Sequence, residues 1–243
     1  MPEIFSSTND GVASYFAVDT WANARSAATG TGANNTATND STGAAAKLVS
    51  GRGSVVAQIS RAFFEFDTSG ITEAPTSATL KIFGNGVFAA EADVIVVRST
   101  QDASLSSNDF DALHNSSTEL GNSDGSGGGS LASVSGLNYS SVFSGGSWST
   151  SGYNTITLNS TALSMMVSLS TFKVALLNYD YDYLDVASVG SSPFQANGMY
   201  FKNYTDITRH PKIDYVEAVD PIAVNPININ GGLIVKGGNI KIL

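Results

Sequence analysis

The chain has 243 residues, of which 42% are hydrophobic and only 14% charged; its formal net charge is −9 and it has no cysteine. That length and apolar content suffice for one substantial core. Twelve Lys and Arg in all, with no run of them forming a patch, argue against non-specific nucleic-acid binding, so no nucleic-acid partner is expected, and the absence of cysteine excludes disulfides and thiolate metal sites.

In chain order, the first fourteen residues, MPEIFSSTNDGVAS, show neither a basic region nor an apolar stretch, so no signal peptide is expected. No apolar run approaches the ~20 residues of a bilayer-spanning helix, and no membrane partner is expected. A first strand is predicted at 11–19. Residues 28–43, ATGTGANNTATNDSTG, are polar and of low complexity and read as an exposed loop. A strand follows at 45–50.

The most informative stretch is 59–86. In a strand at 62–68, Ala62, Phe64 and Phe66 share one face while Phe63, Glu65 and Asp67 share the other; at 77–84, Ala78, Leu80 and Ile82 alternate with Thr79, Lys81 and Phe83. That period of two belongs to strands and not to helices. One apolar face of each is expected to be buried, at roughly 1.5–3 kcal/mol per large side chain. Between them lies TSGITEAPTS, rich in turn formers, where Pro75 bars continuation of a ladder.

Further strands are predicted at 92–98, 153–159, 171–178, 183–188, 198–203 and 211–218, separated by Gly, Ser, Asn and Asp clusters. Two short helices are predicted: SSNDFDALHN, capped by Ser107 or Asn108, and NSTALSMMVSLS, capped by Ser160 with Leu163, Met166 and Val167 on one face. The stretch 121–130, GNSDGSGGGS, reads as a second exposed loop. The fold class is therefore all-β, a jelly-roll β-sandwich over residues 1–218.

After Val219 the character changes. Pro221 and Pro226 mark a linker, and ININGGLIVKGGNIKIL follows, with glycine pairs six residues apart. A strip this short is not stable alone. Residues 219–243 therefore read as a β-rich assembly tail that pairs with copies in other subunits, with Ile227, Ile229, Leu233, Ile234, Val235, Ile240 and Ile242 as its contacts. The simpler reading is one more hairpin covering an edge of its own sandwich.

Enzyme readings are poor. No nucleophile elbow, P-loop, zincin or dinucleotide motif is present. His114 and His210 read as solvated or hydrogen-bonded structural residues. Glu65, Asp67, Asp180 and Asp182 are present, but their spacing does not show that any pair faces a common cleft, as a glycosidase requires.

The best candidate site is NYDYDYLD, residues 178–185. If extended, it places Asp180 and Asp182 on one face and Tyr179, Tyr181 and Tyr183 on the other. Three readings stand: a strand end with Tyr in the core, a structural calcium held by Asp180 and Asp182, or a sugar contact through Tyr181. Trp21 and Trp148 read either as core plugs or, for Trp148 in a loop after SGGS, as a sugar platform.

Several motifs together resemble the DNRLRE-type domain, a jelly-roll family akin to carbohydrate-binding modules. Arg61, Phe63, Phe64, Phe66, Asp67 and Ile71, followed by Ala78, Leu80 and Ile82, stand where that family has an Arg-led aliphatic strand, a turn and an alternating strand. WSTSGYNTITLNSTALSMMVSL and TRHPKIDYVEA are similar to its later strand-helix unit and its closing strand. The segments VALLNYDYDYLD and MYFKNYTDITRHPKIDYVEA, with the glycine-paired tail, look more similar to virion structural proteins of tailed phages, especially marine ones. The resemblance implies a non-enzymatic particle-surface component (head decoration, head fibre or tail-associated subunit) located on the virion and made in the host cytoplasm. Its partners would be copies of itself and capsid or tail proteins. The alternative is a glycan-binding module for host or environmental polysaccharide.

Overall fold

The alternation of 62–68 and 77–84 belongs to two long strands that face each other across an apolar core. The structure is a computed structural model and describes residues 1–51, 54–87, 92–113, 131–187 and 194–218. Within them run eleven strands: β1 (Glu3–Phe5), β2 (Gly11–Val18), β3 (Gly32–Asn34), β4 (Asn39–Gly51), β5 (Ser54–Asp67), β6 (Ser77–Val87), β7 (Val94–Arg98), β8 (Tyr153–Thr157), β9 (Thr171–Asn178), β10 (Gln195–Tyr200) and β11 (Lys212–Val216). The helices α1 (Trp21–Arg25) and α2 (Ser160–Ser168) are short. All pairings are antiparallel.

The protein is an all-β sandwich. One layer has the order β1-β11-β6-β8 and the other β3-β2-β5-β9-β7. Strand β5 changes neighbour along its length, lying beside β4 over 54–60 and beside β9 over 62–67. Strand β10 bridges β4 to the far end of β6, which joins the layers at one end. Phe64, Phe66, Val174 and Leu176 of one layer meet Leu80, Ile82, Ile156 and Ile213 of the other in the main core.

Burying one face per strand underestimates the second layer. Phe63, Ile95, Val97, Ala175 and Leu177 point away from the main core, yet they too are buried, beneath Trp21, Leu105, Phe110, Leu137 and Tyr183. This explains why VIVVR of β7 and TFKVALLN of β9 are nearly unbroken apolar runs: a strand covered on both faces needs no polar alternation. The covering segments are α1, a 3₁₀ turn at Ser107–Asp111 and the loops around it.

Local capping differs by one residue from the expectation in both helices. Asn159, not Ser160, caps α2 by accepting from the Ala162 N–H, and Ala162 and Met166 are its buried residues. Ser106, rather than Ser107 or Asn108, caps the 3₁₀ turn, with Asp109 reciprocating in a capping box. An Asn or Ser one position earlier already supplies the acceptor, so the next Ser becomes the first helical residue.

The segment 28–43 is not all loop, because it contains β3 and the start of β4. The strand expected at 183–188 is absent from its described part, where a turn ends at Asp185 in the left-handed region with φ 54°. His210 is structural, with Nε2 at 2.7 Å from the Tyr204 carbonyl. The segment 219–243 with its seven assembly residues, His114 and the stretch 121–130 lie outside the described residues.

Candidate functional site

Residues 178–185 leave β9 and wind immediately into one π-helical turn, Tyr179–Tyr183. Asn178 starts the turn by accepting from the Tyr181 N–H at 2.9 Å. Winding removes the period of two on which a shared Asp180–Asp182 face depended. Asp182 points inward and is fully buried.

The partner of Asp182 comes from β5. Arg61, 1% exposed in the middle of an apolar strand, donates from Nε to Oδ2 at 2.8 Å and from Nη2 to Oδ1 at 2.7 Å. This is the two-pronged guanidinium–carboxylate geometry that gives the strongest protein hydrogen bonds. The remaining donors of Arg61 reach the Phe110 carbonyl at 2.6 Å and the Arg25 carbonyl at 3.3 Å, and its guanidinium lies 4.2 Å from the Phe110 ring centroid. Arg25, in α1, donates from Nε to the Asp182 carbonyl at 3.0 Å. Asp111 and Asp185 flank the pair, 3.8 Å from Arg61 and 3.9 Å from Arg25 respectively.

The electrostatics follow from burial. Burial by itself lowers the Arg61 guanidinium, but the charge and hydrogen bonds of Asp182 outweigh it and hold Arg61 above its ordinary value. Arg25 falls below its ordinary value, chiefly through burial, with Asp182 opposing. Burial also pushes the Asp111 carboxyl up, against the pull of Arg61. The cluster ties together four segments that are distant in sequence: α1, β5, the 107–111 turn and the 178–185 turn. All of them surround the second core.

This arrangement occupies one of the two carboxylates named for calcium. Both carboxylate oxygens of Asp182 are already bonded to a cation, and a second cation there would face Arg61 and Arg25 directly. Asp180 lies apart from this pair, half-buried, and accepts from Gln195 Nε2 at 3.4 Å; burial raises its carboxyl and nearby Asp93 raises it further. Among the described residues no group of three or more His, Cys, Asp or Glu could hold a metal ion.

Neither residue named for sugar contact presents a fully open ring. Trp148 is 7% exposed, packs in the main core and meets Phe143 edge-on at 6.2 Å, so its faces are covered. Tyr181 is half-buried against the second core. Trp21 is also a core residue.

No family model matches the chain, and no curated protein is significantly similar to it. Function therefore has to be argued from the chemistry of the site.

Two features escaped the sequence reading. One is the Arg25–Arg61–Asp182 cluster, whose only sequence signal is an arginine inside the apolar run QISRAFFEF. The other is an aromatic group in which Phe83, Tyr153 and Tyr204 are half-buried and Tyr200 is buried. Phe83 meets Tyr153 and Tyr200 edge-on at 5.2 and 5.8 Å, Tyr204 lies 4.4 Å from Tyr200, and the Arg209 guanidinium sits 5.0–5.6 Å from three of these rings. Arg209 is held there by the Tyr200 hydroxyl at 2.9 Å and Asp206 at 3.1 Å. A surface depression of about 290 Å³ is lined by Ile71, Thr72, Glu73, Tyr215 and Glu217 and lies where the described chain ends.

Proposed function

We propose that this chain is a non-enzymatic structural subunit of a phage particle, a rigid β-sandwich displayed on the surface and attached through its terminal segment. The observation that carries the reading is the buried Arg61–Asp182 pair. The strongest charged chemistry among the described residues is sealed between a sheet and its covering turns, where it holds four segments in register and meets no solvent or substrate. A second layer covered on both faces gives a stiff body, and the low-charge Ser, Thr and Asn exterior suits display. The glycine-paired sequence after Pro226 suits docking by strand addition.

Mass spectrometry of purified particles tests this function. The protein is expected among the virion components in many copies; its absence from intact particles removes the proposal.

Glycan attachment is the second reading, and the half-buried rings of Phe83, Tyr153 and Tyr204 favour it because partly open rings can stack on sugar faces. Saturable binding on a glycan array, lost in Tyr204→Ala, is the outcome it requires.

A further inference from the structure

Strand β2 runs past its outer partner. Strand β3 pairs only with Val12, Ala13 and Ser14, whereas β2 continues along β5 as far as Val18 opposite Val56. Beyond Ser14 the Phe16 N–H donates to the Thr31 hydroxyl at 2.9 Å, and among the described residues no strand pairs with 16–18 on that side. Phe16 and Val18 alternate onto one face and are 60% and 70% exposed, while Phe5 and Val216, the next most exposed large apolar residues of described strands, are at 38%. An open apolar edge of this kind is a template for another strand.

We infer that this edge receives the 227–243 segment of a second copy of the chain, joining subunits head to tail. The pattern of that segment fits the role: Ile227 and Ile229, Leu233 and Val235, and Ile240 and Ile242 each repeat at a spacing of two, as an added strand requires. Its charge fits as well, since 227–243 carries Lys236 and Lys241 and no acid, on a chain of net charge −9.

Distance separates the start of the strip from the chain's own edge. The described chain ends at Ala218, beside Gly70–Glu73, the corner that follows the last residue of β5. Phe16 and Val18 lie opposite Gln58 and Val56, near the first residues of β5. From Val56 to Asp67 the strand covers about 36 Å. The proline-containing connection 219–226 reaches at most about 29 Å. The described chain thus ends at one pole, and the open edge lies at the other. A contact between opposite poles that is not reciprocated is heterologous and builds a ring or a filament.

This inference rests on the assembly part of the proposed function and not on the identity of the particle. The test uses the full chain with Phe16→Lys and Val18→Lys together, both at exposed positions, so the fold is expected to be retained and is checked by circular dichroism. Light scattering over a concentration series is expected to show the unsubstituted chain growing beyond 25.2 kDa and the variant staying at that mass. A photo-crosslinking residue at position 18, in a mixture of ¹⁴N- and ¹⁵N-labelled chains, is expected to give mixed-isotope products mapping to 227–243. The inference is overturned by an unsubstituted chain that stays monomeric, by a variant that assembles unchanged, or by cross-links confined to single chains or to other residues. Absence of the protein from particles would overturn the function and leave these results as they stand.

Discussion

Asp182 and Arg61 illustrate how much a single buried pair decides. Removing one partner leaves the other charge in a medium that cannot solvate it, which costs about 3–5 kcal/mol. Asp182→Asn is therefore expected to lose roughly that much in urea unfolding, and the Arg61→Met/Asp182→Leu double variant is expected to lose less than Asp182→Asn alone. A single variant within about 1 kcal/mol of the parent would contradict the clasp.

Because Asp182 is engaged by Arg61, added calcium is expected to leave the melting midpoint unmoved; a calcium-dependent rise abolished by Asp180→Asn would show a site after all. Asp10 is a second buried carboxyl, held by neutral donors. Ser6 Oγ and the Lys202 N–H both donate to its Oδ2, at 2.8 and 2.9 Å, while its buried Oδ1 has no partner. Burial pushes this carboxyl up to about 7. The folded state therefore keeps a proton that the unfolded state releases near pH 4, so the contribution of Asp10 favours folding most at low pH. It declines as pH rises towards about 7 and is level above that. The difference in stability between the parent and Asp10→Asn is expected to shift by a few kcal/mol at most (~2–4) between pH 5 and pH 8. A difference independent of pH would refute the buried neutral carboxyl.

At the scale of elements, legibility followed length and periodicity. Strand β9 has the bounds predicted for it, 171–178, and β5, β6 and β11 contain most of the stretches read as strands, because seven or more residues display their alternation. Strands β1 and β3 were missed, since three residues have no period to read and their pairing is set by Asp214 and Val12 far away in sequence. The π turn at 179–183 was read as extended because Tyr and Asp alternate there; the Asn178 side chain and the Arg61 charge override that pattern. Both-sided burial of the second layer was legible only as the unbroken apolar runs of β7 and β9. Of the candidate site, the segment 178–185 was found but its buried ion pair was not. Asp182 needed a partner 121 positions away, and no local pattern announces one. Asn159 gives the direct test at this scale: Asn159→Ala is expected to destabilise the protein by about 1 kcal/mol by uncapping α2, with Ser160→Ala near neutral. The reverse ranking would move the cap to Ser160.

At the scale of the whole molecule, two apolar cores share one sheet, and the Arg61–Asp182 clasp locks the cover over the second. That construction fits the stiffness that the proposed displayed subunit would need, and the β2 edge is the proposed point of assembly. The most direct measurement is native-state hydrogen exchange on the full chain. If the second layer is covered on both faces, the amides of β7, β9 and residues 62–66 of β5 exchange only through global unfolding and form the slowest set, while Phe16 to Val18 and β3 exchange early. Exchange of β7 and β9 amides through low-energy local opening, at rates near those of β3, would contradict the two-core sandwich and the function argued from it.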